Sequence, residues 1–392
     1  MKRPGGSMNR AGLIAVLFLL LCCALNTTEA QHVMRHKLRS PGLVLEGRVY
    51  YGWTLDHHIE MTPYKRHYPG FELSLFKATY GRTRWEYMYN YPFIGVSYWY
   101  SDLGGTKPLG SAHALFPFIN FPLLRSRDVN IYFRLGVGLG YLTKKYERYN
   151  NYDNLAIGSH FNGAVNLMFE VRGRLSERLM GSAGVSLVHF SNGGTKQPNY
   201  GINMPGVSVA VAYRMSRENP YLRKKLLPEL YPFEFDGKRY LQGDINMGFG
   251  FKDLKAISGK GHQYPVVDMA ANVMWPVGYK SRLGAGVDFS YDGADEKQLQ
   301  KQNIIPEHRI DLVKTGINAA YELAFSRMAI MLNLGFVVSG LDKHDGTVYE
   351  KLGIRVGITE NLFSSFTLKA HYGKADYLTL GVGYRIRLKY YR

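Results

Sequence analysis

Residues 131–142 read IYFRLGVGLGYL, and their alternation decides the fold class. Ile131, Phe133, Leu135, Val137, Leu139 and Tyr141 fall on one side of an extended chain. Tyr132, Arg134 and three glycines fall on the other. Residues 164–174, AVNLMFEVRGR, repeat the arrangement, with Val165, Leu167, Phe169 and Val171 set against Asn166, Met168, Glu170, Arg172 and Arg174. A strict period of two places successive side chains on opposite faces, which is the signature of a strand. A soluble sandwich would also alternate. Long, glycine-bearing strands bounded by aromatics fit a membrane barrel better, with apolar residues outward to lipid and polar ones inward.

Working outward, the same pattern predicts strands near 43–52, 71–81, 91–102, 110–121, 161–175, 178–191 and 203–215 around the first example at 130–142. A Pro-bearing basic connector follows at 217–238. Eight further candidates lie near 239–252, 263–277, 281–292, 308–325, 327–340, 347–358, 361–373 and 375–390. The expected fold class is therefore all-β, an antiparallel transmembrane β-barrel of outer-membrane type. Two architectures satisfy the pattern: one barrel of 14–16 strands, or an eight-stranded barrel followed by a second β module. Alternation on both sides of the connector favours the single barrel, with 239–392 in the same barrel as 31–216. No repeat relates the halves by eye.

The ends agree with export. Lys2, Arg3 and Arg10 precede AGLIAVLFLLLCCAL, and TTEA offers small residues before Gln31. This reads as a signal peptide over 1–30, cut near Ala30. No later stretch approaches the roughly 20 apolar residues that a membrane helix needs. Both cysteines, Cys22 and Cys23, lie in that leader, so the mature chain is expected to have no disulfide, no thiolate metal site and no cysteine nucleophile. The composition, with 30 tyrosines, 20 phenylalanines and 43 glycines, suits many aromatic strands joined by turns. The formal charge of +18 attracts anions. In an exported chain the expected partner is anionic membrane lipid and not nucleic acid.

Several tempting signals are set aside. The run GVGLG at 136–140 is no dinucleotide loop, because strand alternation passes through it and no helix follows; its glycines are expected to make room inside a barrel. His57 and His58, with His32, His36 and His67, match no metal-ligand spacing and read as exposed loop residues. The run RKKLLPEL at 223–230 is better matched to lipid phosphate or solvent than to nucleic acid.

The chemistry-bearing stretch is GSAGVSLVHFSNGGTKQPNYGINMPGVSVAV, residues 181–211. His189 and Ser191 share a face with Ala183, Val185 and Leu187, opposite Ser182, Gly184 and Ser186. In a barrel this polar pair points outward, at the lipid boundary. Val207, Val209 and Val211 mark the outer face of the next strand, and antiparallel pairing brings Asn203 near His189. A serine hydroxyl attacks an ester when a base takes its proton, and histidine does so near neutral pH. A third polar group orients the imidazole. The SNGG turn can supply oxyanion donors at Asn192 and Gly194. No cofactor or metal is implied, because ester hydrolysis by serine needs none.

The stretch HFSNGGTKQPNYGIN resembles the signature of the outer-membrane lipid A deacylases, the PagL-like enzymes also called acyloxyacyl hydrolases. The likeness rests on His189, Ser191, Asn192, Gly194 and PNYGI at 198–202, and more loosely on the eight strand segments up to this hairpin. It implies a serine esterase of the bacterial outer membrane that removes an ester-linked acyl chain from lipid A, the anchor of lipopolysaccharide. Ser191 would be nucleophile and His189 base, with Asn192 and Gly194 around the oxyanion. In one respect the chain departs from the family: the glutamate expected as catalytic acid aligns with Asn203. An asparagine can hold the ring tautomer but supplies no charge. The site then works at altered efficiency, or borrows another carboxylate, or is a relic in a porin-like or structural barrel. The likeness ends near residue 215 and leaves the second half unassigned.

Overall fold

Among the described residues sixteen strands form where the alternation placed them, and their hydrogen bonding closes them into two barrels. The computed structural model describes residues 42–79, 83–105, 107–126, 129–215, 239–254, 262–341 and 346–391. The leader at 1–30 and the connector at 217–238 lie outside the described residues, as do His32 and His36.

Barrel 1 consists of β1 (Leu43–Trp53), β2 (His67–Ala78), β3 (Phe93–Ser101), β4 (Ala112–Arg125), β5 (Val129–Leu142), β6 (Phe161–Arg174), β7 (Leu179–Ser191) and β8 (Ile202–Arg214). Each strand pairs antiparallel with its sequence neighbour, and β1 closes on β8 with Val49 opposite Val209. Barrel 2 consists of β9 (Arg239–Asp253), β10 (Gln263–Pro276), β11 (Ser281–Asp292), β12 (Val313–Phe325), β13 (Met328–Ser339), β14 (Val348–Gly357), β15 (Leu362–His371) and β16 (Lys374–Tyr391). It closes by pairing β16 with β9, Val382 opposite Met247.

The single barrel favoured from sequence is thus corrected, and the eight-stranded barrel with a second β module is the architecture observed. The physical reason is that alternation reports which face a side chain takes. It carries no information on which strand pairs with the last one. Closure removes every free sheet edge, the condition under which strands can cross a hydrocarbon layer. The outward rows fit that solvent: Val207, Val209 and Val211 are each more than half exposed, as are Phe169, Leu334 and Phe336. Among the described residues no helix is long and apolar enough to cross a membrane; the strands do the crossing.

The lumen of barrel 1 is filled in layers. Glu46, Glu72 and Glu170 face Arg48, Arg134 and Arg172 across the middle, all of them buried, so the layer balances its formal charge. Arg134 reaches Glu72 at 2.5 Å and Arg172 reaches Glu46 at 2.7 Å. Arg48 bonds Glu170 and, at 2.9 Å, Glu46. Tyr50 and Asn120 donate to Glu72 and Glu170, each at 2.6 Å. One apolar cluster above it includes Trp99, Phe116, Phe190 and Ile202; another below includes Phe76, Phe93, Phe118 and Tyr132. Gly140 serves this packing, because a Cβ there would stand 2.6 Å from the Phe190 ring. Tyr132, Arg134 and the three glycines of that row are therefore lumen residues, as the alternation predicted.

Barrel 2 is also polar inside. Lys351 bonds both oxygens of Asp268 and, at 2.8 Å, one of Asp288. Arg355 grips Asp244 with two bonds of 3.0 Å, and Glu322 takes Arg282, Arg355 and Arg385. Tyr349 and Tyr377 donate to Asp288 and Asp268.

Candidate active site

The β7–β8 register sets His189 directly opposite Asn203. Val188 and Phe190, on the other face of β7, are buried in the lumen, while His189 and Ser191 continue the exposed row of Ala183, Val185 and Leu187. The pair thus sits on the outer wall at the end of the strand. On the neighbouring β1, Tyr51 and Trp53 are outward and partly exposed, and the Leu55 backbone N–H, just beyond them, donates to the Asn203 carbonyl at 2.8 Å. Outward Tyr98, Tyr100 and Tyr141 gather around His113. Aromatics of this kind mark the boundary between acyl chains and headgroups.

His189 Nδ1 lies 2.6 Å from Asn203 Oδ1. This bond requires the proton on Nδ1 if the amide oxygen accepts, which leaves the Nε2 lone pair for another partner. The imidazole lies beside Gly201, whose φ is +79°. A Cβ at that position would stand 3.1 Å from His189 Cε1. Gly201→Ala therefore combines a left-handed backbone, costing roughly 1–2 kcal/mol for an L side chain, with a push on the ring. It is expected to lower turnover about tenfold or more while leaving barrel assembly intact, as read by gel mobility of unheated against heated samples.

Ser191 Oγ accepts from Asn199 Nδ2 at 2.9 Å, and Asn199 Oδ1 accepts from the Asn192 backbone N–H at 3.1 Å. Asn199 was not singled out from sequence; its place in PNYGI is the only signal, since loop contacts follow no period. The Asn192 side chain is buried, and its Nδ2 donates to Ser159 Oγ at 3.0 Å. It secures the turn from within, which leaves the backbone, not this side chain, as the group Asn192 could turn to an oxyanion. Gly193 and Gly194 follow with φ of +63° and +83°, a backbone turn that glycine adopts without strain.

His57 is an exposed loop residue, as its spacing implied, and the structure places it at the site. Its Nδ1 lies 3.1 Å from Asn203 Nδ2, and its Nε2 lies 2.9 Å from the Tyr200 carbonyl. His58 packs on His57 and on Tyr200, with ring centroids 4.8 and 5.0 Å apart. The Tyr200 hydroxyl donates to Glu60 at 3.0 Å; burial first, then the Glu60 carboxylate, push that phenol up. His67 stacks on Tyr51. Among the described residues no set of three His, Cys, Asp or Glu side chains is placed to hold a metal.

Comparison with known proteins bears on both barrels. Residues 70–212 match the family described as lipid A 3-O-deacylase (PagL). Residues 241–388 match the family described as acyloxyacyl hydrolase, C-terminal domain. The second match carries the relationship into the half that the signature had left unassigned. No curated protein sequence matches the chain. Among solved structures, the outer membrane enzyme PagL is similar at 18% identity and a TM-score of 0.29, over 42% of this chain and 97% of that one. The beta domain of the Bordetella autotransporter BrkA is similar at 8% identity and a TM-score of 0.24, over 89% of this chain and 100% of that one. A mutant porin of Rhodopseudomonas blastica gives 8% identity and a TM-score of 0.17, over 88% and 99%.

Proposed function

The chain belongs to the lipid A 3-O-deacylase family, and from that premise we propose that barrel 1 carries a serine esterase acting on an ester-linked acyl chain of lipid A in the outer membrane. The observation that carries this reading is the 2.6 Å bond from His189 to Asn203 on the lipid-facing row, two residues from Ser191.

In this reading the Ser191 hydroxyl leaves Asn199 and presents its proton to His189 Nε2 as Oγ attacks the acyl carbonyl. Asn203 Oδ1 accepts from Nδ1–H and keeps the ring in the tautomer a base requires. The Gly194 backbone N–H is the donor assigned to the oxyanion, a contribution of about 3 kcal/mol in comparable sites. Collapse of the tetrahedral intermediate breaks the bond to the sugar oxygen, which takes the proton from His189. Water, deprotonated by the same imidazole, then releases the fatty acid and restores Ser191. The outward placement means that the ester is met at the membrane surface, without extraction of the lipid.

Purified protein mixed with lipid A in detergent is expected to yield free fatty acid and a lipid A product lighter by one acyl chain. Intact lipid A after prolonged incubation would overturn the proposal.

The second reading, a structural or porin-like barrel with a decayed site, draws on Asn203. The lumen of barrel 1 speaks against conduction, since its charged layer is buried between apolar ones. Asn203→Glu separates the two readings. A carboxylate adds charge stabilisation of the imidazolium worth about 1–2 kcal/mol over the amide, or roughly five- to thirty-fold in rate. A working wild-type site improved by that factor supports the esterase. Activity that exists only after the replacement supports decay.

A further inference from the structure

Resting on the assignment of His189 and Ser191 as base and nucleophile, we infer that His57 is a positioning residue that locks the Asn203 amide so that a neutral group can do the orienting work of a carboxylate. The difficulty it solves is chemical. A carboxylate offers only acceptors, so either oxygen fixes the Nδ1–H tautomer of histidine. An amide has a donor half and an acceptor half. Rotated by half a turn, Asn203 would present N–H to His189 Nδ1, the ring proton would move to Nε2, and the base would be lost.

The structure holds the amide the useful way round through His57. Its Nε2 is 2.9 Å from the Tyr200 carbonyl, which can only accept, so Nε2 carries a proton. In the neutral ring Nδ1 is then an acceptor, and it lies 3.1 Å from Asn203 Nδ2. With that N–H engaged, Oδ1 is the atom left facing His189. The loop bearing His57 is tied to the same residue, because Leu55 N–H donates to the Asn203 carbonyl. The carbonyl of Leu55 lies 3.2 Å from His57 Nδ1 and receives a proton only if that nitrogen gains one. The chain runs Tyr200 carbonyl, His57, Asn203, His189, with every donor matched to an acceptor.

The test is a double-mutant cycle with a tautomer readout. His57→Ala is expected to lower kcat roughly tenfold or more, with KM little changed, because loss of the base tautomer costs rate and not binding. His57→Asn, which keeps an acceptor near the Nδ1 position, restores most of it. In the Asn203→Glu background the alanine replacement is expected to cost less than about threefold, since a carboxylate needs no lock. Equal losses in both backgrounds would overturn the inference and leave His57 a structural support. The tautomer itself is read without turnover, by nitrogen-15 NMR of histidine-labelled protein in detergent, with the His189 signals assigned by His189→Gln. Wild type should show His189 protonated on Nδ1, and His57→Ala should move population to Nε2; an unchanged tautomer sinks the inference. Absence of Ser191-dependent release from wild type would instead remove the esterase reading, and the NMR result would still decide the lock.

Discussion

Ser191→Ala is expected to lower the release of fatty acid from lipid A by about 10³-fold or more, the scale seen when a serine nucleophile is removed from a triad. The replacement deletes the only hydroxyl on the outer row beside His189, and that row is at the wall, not in the core. Ser191 closes β7, where Gly163 pairs with it, so a methyl group is accommodated there and the barrel should assemble as before. The rate loss therefore belongs to chemistry. Substrate affinity should persist, because the aromatic belt and outer wall remain. The check is release measured on purified variant whose unheated form still migrates as a folded barrel. Release at the wild-type rate would remove Ser191 from the reaction.

The largest effect on stability is expected from Glu170→Ala. Glu170 is buried and accepts from Arg48, from Arg172 at 2.9 Å and from Asn120 at 2.6 Å. Removing it leaves two guanidinium groups and an amide facing a small cavity between two apolar layers. Breaking one member of a buried charge network in this way costs about 3–5 kcal/mol, far more than the intact pair contributes relative to an apolar core. The measurement is the temperature or denaturant concentration at which the folded gel band is lost. A variant as resistant as wild type would mean that water reaches the layer and solvates it, contrary to a filled lumen. Glu170→Gln, which keeps one acceptor oxygen, should fall between the two.

The strands and the outer position of His189 and Ser191 were legible because a strand's faces are written at period two. Edges were less so: the segment near 308–325 begins as a short 3₁₀ turn at Arg309–Leu312, and β12 starts only at Val313. The meeting of His189 with Asn203 followed from hairpin register. Closure into two barrels did not, because the partner of a terminal strand is distant in sequence and no side-chain pattern names it. His57 and Asn199 were missed for a related reason. Both act from loops, where position is set by contacts such as the Leu55 to Asn203 backbone bond and no periodicity remains to be read. The burial of the Asn192 side chain against Ser159 depends on a loop that sequence could not place.

If an acyl group passes through Ser191 on the outer wall of barrel 1, that serine is an activated nucleophile. The most direct measurement is mass spectrometry of the protein after brief reaction with a long-chain alkyl fluorophosphonate, a probe that modifies activated serines, followed by peptide mapping. A single adduct on Ser191, lost in His189→Gln, is expected. An unmodified Ser191 in a preparation that nevertheless deacylates lipid A would contradict it.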